Sequence, residues 1–150
     1  MTLGVLTQLL AQSKRFIVIA APFMQAGYGL SNGPLADALQ AALQRGVNVD
    51  IVSTGRGLQT IDVAWLRQGA QGNLRLLQPR ENILDEQRLG SHAKFCVVDG
   101  LSAYVGSANL TGPGLGRNLE MGLLVQGEVA RQIEEFWEYS LEIELFTVMH

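Results

Sequence analysis

The feature that most constrains this chain is a pair of β-branched, apolar runs separated by one amphipathic segment. Phe16 to Ala21 and Val47 to Ser53 read as strands. Between them Leu35, Ala38, Leu39, Ala42 and Leu43 recur at helical spacing, with Pro34 in the first turn and Ser31 or Asn32 as the expected cap. A strand, a helix and a second strand in that order form a parallel crossover unit, so the fold begins as α/β.

Beyond this unit, Leu58, Ile61 and Trp65 predict a second helix ending near Gly69, and Asn73 to Leu77 a third strand. The polar stretch from Gln78 to Ser91 shows neither periodicity and is long for a connector, which fits a binding loop or a mobile surface segment. Phe95 to Val98 and Leu101 to Val105 flank Asp99-Gly100, a pair that tolerates positive φ and predicts a tight antiparallel hairpin. Leu119 to Val125 reads as a final strand, and Ile133, Phe136, Trp137 and Leu141 as the apolar stripe of a closing helix. No repeat or linker divides the chain, so residues 1–150 are expected to form one domain.

Composition narrows the function classes. With 47% apolar and 17% charged residues in 150, the chain can bury a core, and disorder is not expected. No apolar run approaches the roughly 20 residues of a membrane span, and the first residues lack a basic leader with a long apolar run, so a cytoplasmic location is expected. One cysteine, Cys96, and two histidines provide neither a disulfide framework nor an ordinary zinc cluster. The formal charge of −3 argues against a uniformly basic nucleic-acid binder. Its distribution is uneven: ten Lys and Arg against seven Asp and Glu through residue 117, then one against seven. A local anion-binding surface in the first part of the chain is compatible with that imbalance.

Chemistry concentrates around residue 92. On a strand beginning near Ser91, alternation puts His92, Lys94 and Cys96 on one face and Ala93, Phe95, Val97 and Asp99 on the other. After the hairpin, Ser107 and Asn109 stand two residues apart, so they share a face if the strand continues. Cleaving a phosphodiester requires a nucleophile, a proton for the leaving oxygen, and donors for the non-bridging oxygens. His92, Lys94, Ser107 and Asn109 match that list. Glu120 is placed to accept from one nitrogen of His92, leaving the other to attack, and Asn118 on the same face adds a donor.

The pattern His92-x-Lys94-x4-Asp99-x6-Gly106-Ser107-x-Asn109, followed by Asn118-x-Glu120, resembles the signature of the phospholipase D superfamily, with the closest likeness to its short bacterial nucleases that carry one motif. The resemblance runs from about Phe16 to Trp137. It implies a mixed, mainly β sheet flanked by helices on both faces. It also implies a metal-independent phosphodiesterase, without cofactor, in which His92 attacks phosphorus and the phosphohistidine is released by water. Carried over by position, Lys94 and Asn109 bind phosphate oxygens, Ser107 supports them and Glu120 orients His92. Asp99 and Gly106 take structural roles.

The family mechanism uses two His-Lys pairs, and this chain has one. A homodimer with the site on its two-fold axis supplies the second. The other histidine, His150, is terminal and has no lysine two positions on, which fits a frayed tail. The leading expectation is a nuclease acting on DNA or RNA. The alternatives are a phospholipid head-group hydrolase or transferase, and a nonhydrolytic component of a bacterial defence complex with its own partners.

Outside the motif, Arg56, Arg80, Arg88 and Arg117 are candidates for a path along a polyanionic backbone, although any one alone reads as solvated surface. Cys96 reads as a packed, inert thiol, and Gly112 to Gly116 as a flexible loop over the site. Trp65, Phe136 and Trp137 are assigned to core or dimer packing. Leu145, Phe146, Val148 and Met149 are expected to be exposed and to pack across subunits.

Overall fold

The computed structural model describes residues 2–21, 24, 27–80, 93–107, 110 and 121–149. A seven-stranded mixed sheet runs through the molecule. Its strands are β1 (Phe16–Ala20), β2 (Asn48–Val52), β3 (Leu74–Pro79), β4 (Phe95–Val98), β5 (Ser102–Gly106), β6 (Gly122–Gln126) and β7 (Phe146–Val148), in the spatial order β6-β5-β4-β1-β2-β3-β7. β1, β2 and β3 are parallel, and every other pairing is antiparallel.

Helices cover both faces. α1 (Thr2–Gln12) and α2 (Pro34–Gln44) pack on one side and α5 (Glu128–Glu142) on the other. β1 is therefore enclosed on both sides, which is why its run of Ile17, Val18, Ile19 and Ala20 is apolar without alternation. Ile17, Ile19, Val49, Ile51, Cys96 and Tyr104 join the α1–α2 side, whereas Val18, Val52, Val97 and Ala103 join Trp137 under α5. The crossover helix α2 buries Leu35, Leu39, Ala42 and Leu43, each fully buried leucine contributing about 1.5–3 kcal/mol.

The structure corrects several expectations. The cap of α2 is Gly33 at φ 94, without a side-chain hydrogen bond, because Ser31 is engaged in its own turn with Tyr28. The helix expected through Leu58, Ile61 and Trp65 is two single turns, α3 (Gly55–Leu58) and α4 (Val63–Leu66). Thr54 caps the first by accepting from Gly57 N, and Asp62 starts the second by accepting from Trp65 N at 2.9 Å. β6 begins at Gly122 and is not the last strand. The terminal apolar segment forms β7, which pairs with β3, seats Phe146 against Trp137 and turns Met149 onto the core; Leu145 and Val148 remain exposed. On α5 the buried residues are Ala130, Glu134, Trp137 and Ser140, while Phe136 is 59% exposed. α1 had no counterpart among the expected elements.

The predicted hairpin is present. Val98 O accepts from Leu101 N at 3.0 Å, and Asp99 and Gly100 both have positive φ, 55° and 62°. Gly100 is required for a second reason: a Cβ there would press on the Glu134 carboxyl carbon of α5, 3.1 Å away.

Candidate active site

Lys94 immediately precedes β4, at the carboxyl end of β1, because Phe95 pairs with Ala20. Its carbonyl accepts from Gly106 N at 3.1 Å, which brings the end of β5 alongside. Strand alternation through Cys96 and Val98 assigns Lys94 to the α1–α2 side. The connections after β1, β2 and β3 open at this same end, outside the carboxyl ends of parallel strands where ligands of open α/β sheets bind. His92, Asn109, Asn118, Glu120, Arg88, Arg117 and His150 lie outside the described residues, as do Gly112 to Gly116 and most of the polar stretch before the motif.

Two described contacts flank Asn109 in the chain. On one side Ser107 Oγ donates to Met121 O at 3.3 Å and accepts from Met121 N at 3.1 Å, while Ser107 N donates to Met121 O at 3.0 Å. The hydroxyl thus fastens the ends of β5 and β6 together, two residues before Asn109 on one side and, through Met121, one residue after Glu120 on the other. On the far side Leu110 is buried and forms an isolated parallel bridge with Met24. It also lies so close to Gly29 that a Cβ there would stand 2.9 Å from the Leu110 Cβ.

Gly106 has a packing role that spacing alone did not reveal. A Cβ at Gly106 would stand 2.6 Å from the Tyr104 hydroxyl, and one at Gly122, its cross-strand partner, would meet the same phenol closer still. The two glycines form a slot in which the Tyr104 ring lies, with its hydroxyl 3.5 Å from Thr2 Oγ1 of α1.

Asp99 sits at the opposite end of β4 from Lys94. Its carboxylate accepts from Lys14 N at 2.9 Å, Arg15 N at 2.8 Å and Phe16 N at 2.8 Å, and so binds the α1–β1 connection to the hairpin. Five residues of near-extended chain separate Asp99 from Lys94, about 16 Å. Cys96 is buried on the α1–α2 side, and desolvation pushes its thiol up to about 12, so it is protonated and inert at neutral pH.

Of the two candidate-path arginines that are described, Arg56 is exposed on α3, beyond the carboxyl end of β2. Arg80 follows β3 and is held by an ion pair with Glu144 at 2.7 Å. Trp65 is partly buried against the core and Trp137 is fully buried. Sequence reasoning passed over Tyr28, an exposed aromatic between Gly27 and Gly29 on the loop after β1. The aromatic between two glycines just beyond a strand was the available signal. Among the described residues no group of three His, Cys, Asp or Glu is placed to hold a metal, and no helix is long and apolar enough to cross a membrane.

The profile of the family described as cardiolipin synthase, PLD-like domain, matches residues 6–140. Cardiolipin synthase B of Salmonella typhi is 29% identical over 126 residues, which cover 83% of the chain. The chain spans only 28% of that relative's length. Among solved structures, Nuc from Salmonella typhimurium, a phospholipase D family member, superimposes with a TM-score of 0.70 at 21% identity. NucT from Helicobacter pylori does so at 0.72 and 16%. Both superpositions cover 98% of this chain and 90% of the other, and they show a shared fold.

Proposed function

The chain belongs to the phospholipase D superfamily of phosphodiesterases, and from that premise we propose that it is a metal-independent nuclease acting on DNA or RNA, with its site completed across the two-fold axis of a homodimer. The observation that supports this reading is the single His-Lys pair, His92-x-Lys94, on a fold shared with Nuc and NucT.

In the first step an imidazole nitrogen of His92 attacks phosphorus, a P–N bond forms and the P–O bond to the leaving group breaks. His92 of the second copy, protonated, gives its proton to the leaving oxygen. Water then attacks the phosphohistidine with that second imidazole as base, which regenerates both rings. Lys94 and Asn109 hold the non-bridging oxygens, Asn118 supports them, Ser107 acts by fastening the strand ends next to Asn109 and Glu120, and Glu120 orients His92. An exposed apolar surface is available for the second copy: Met121 just before the edge strand β6 and Leu123 and Leu124 on it, with Val129 and Phe136 on α5.

The 29% identity to cardiolipin synthase B favours a second reading, head-group hydrolysis or transfer on a phospholipid. The test incubates the full chain and its His92→Ala variant, with EDTA, with labelled single strands, duplexes and phosphatidylglycerol vesicles. Cleavage of nucleic acid by the parent and none by His92→Ala is the expected result. Turnover of lipid alone replaces this reading with the second, binding without turnover favours a nonhydrolytic component, and cleavage by His92→Ala removes the mechanism.

A further inference from the structure

We propose that Tyr28 is a base-stacking platform beside the phosphate site, and that the substrate is therefore single-stranded or locally unpaired nucleic acid. The proposal rests on the nuclease reading above and specifies the form of substrate that this site takes.

Three observations place Tyr28 and tie down its backbone. The first is location. Tyr28 lies on the connection leaving β1, whose carboxyl end adjoins Lys94 across the β1–β4 pairing. Its neighbour Gly29 abuts Leu110, the residue after Asn109. Met24, Leu30 and Leu110 all join the core on the α1–α2 side, the side to which strand alternation assigns Lys94. Tyr28 is thereby on the same end and the same face as the phosphate-binding lysine.

The second observation is order. Ser31 Oγ donates to Tyr28 O at 2.8 Å and accepts from Tyr28 N at 3.1 Å, and Ser31 N donates to Tyr28 O at 3.1 Å. Leu30 is buried beside them, and Gly27 and Gly29 supply the positive φ values, 80° and 59°, that the tight turn needs. The backbone at Tyr28 is tied at both its polar groups, so presenting the ring costs little further entropy on binding.

The third is exposure. Tyr28 is 47% exposed although Leu30, two residues on, is buried. The other exposed aromatics among the described residues, Phe136 and Tyr139, are on α5, across the sheet. An exposed aromatic on a tied backbone beside a phosphate site suits an unstacked base, because every base offers a π-face, whereas the bases of an intact duplex are occupied by their neighbours. Arg56, one strand further along the same edge, extends the surface with positive charge for the backbone.

The test measures binding of fluorescent oligothymidylate, the duplex of the same sequence, and an oligonucleotide carrying abasic sites, to full-length His92→Ala protein with Tyr28, Tyr28→Phe or Tyr28→Ala. Tyr28→Ala is expected to weaken oligothymidylate binding by about tenfold, within the range seen for loss of one stacked base. Tyr28→Phe should keep affinity within about twofold, since the ring remains. The loss should shrink on the abasic strand and on the duplex. Equal affinity of Tyr28→Ala and its parent for oligothymidylate overturns the proposal, as does an equal loss on all three probes. If the parent protein cleaves nucleic acid while Tyr28→Ala binds normally, only the stacking role falls. If the parent cleaves no nucleic acid and turns over phosphatidylglycerol vesicles, the nuclease reading falls and this proposal with it.

Discussion

The indole nitrogen of Trp137 donates to the Asp50 carboxylate at 3.0 Å, where Asp50 is 1% exposed and also accepts two 2.7 Å bonds from the Arg75 guanidinium. Asp50 and Arg75 are register partners on β2 and β3, so a two-pronged ion pair between neighbouring parallel strands becomes the polar seat of α5. The buried charge is fully engaged, which makes loss of one partner costly. Trp137→Phe keeps most of the apolar burial and should lower unfolding free energy by about 1.5–3 kcal/mol, the range for a hydrogen bond to a charged group. Asp50→Ala should cost about 1–3 kcal/mol by leaving the buried Trp137 indole N–H without its acceptor, while the half-exposed Arg75 guanidinium turns to water. Urea denaturation followed by tryptophan fluorescence measures both.

Gly122→Ala should force Tyr104 from its slot and destabilise the fold by about 1–3 kcal/mol, the usual range for overpacking. Tyr104→Leu should relieve the clash, so a double-mutant cycle should show a coupling of opposite sign to the single effects. Additive losses would show that the phenol does not occupy the space above Gly106 and Gly122.

Asp99→Ala removes the acceptor of three backbone N–H groups at the α1–β1 connection and should cost about 2–3 kcal/mol. Because Asp99 lies at the far end of β4 from Lys94, the folded fraction should keep near-parental kcat. A loss of kcat at a temperature where circular dichroism shows full folding would place Asp99 in the chemistry instead.

Glu134 gives the fold a pH dependence. Its side chain is only 12% exposed, and burial holds its carboxyl above the usual carboxylate range despite Arg15 at 3.6 Å. A raised folded-state value means that this group favours folding most when protonated, below the ordinary carboxylate range. That contribution is lost as pH rises through the raised value. Glu134→Gln should therefore raise the urea midpoint at neutral pH relative to the parent, with the difference narrowing as the solution is acidified through the carboxylate range.

The proposed mechanism, in which two copies of His92 hold different protonation states during turnover, predicts a bell-shaped pH profile of kcat/KM with coupled titrations. Glu120→Gln should reduce turnover less severely than His92→Ala. A flat profile across neutral pH would count against paired nucleophile and acid.

The crossover unit, the Asp99-Gly100 hairpin and the spacing of His92, Lys94, Ser107 and Asn109 were all legible in the chain, because each depends on local periodicity or on a turn two residues long. Other features depended on neighbours distant in sequence. The 3.6-residue period of α5 marked Phe136 as core, yet the helix turns Glu134 and Ser140 inward and leaves Phe136 exposed; Glu134 meets Arg15 at 3.6 Å and Ser140 Oγ donates to Phe136 O at 2.8 Å. The apolar tail suggested contact with another subunit, and β3 instead had a free edge for it to pair with.

The sequence by itself determined that strands and an amphipathic helix alternate and that an imidazole and an ammonium are spaced for one strand face, because side-chain direction along a strand follows from backbone geometry alone. Only the tertiary structure decided that Asp99 ties α1 to β1 far from Lys94, that Gly106 and Gly122 make room for Tyr104, and that Leu110 packs against Gly29 on the connection leaving β1. Each of these joins residues remote in the chain, and their meeting is set by which strands pair and which face each helix covers.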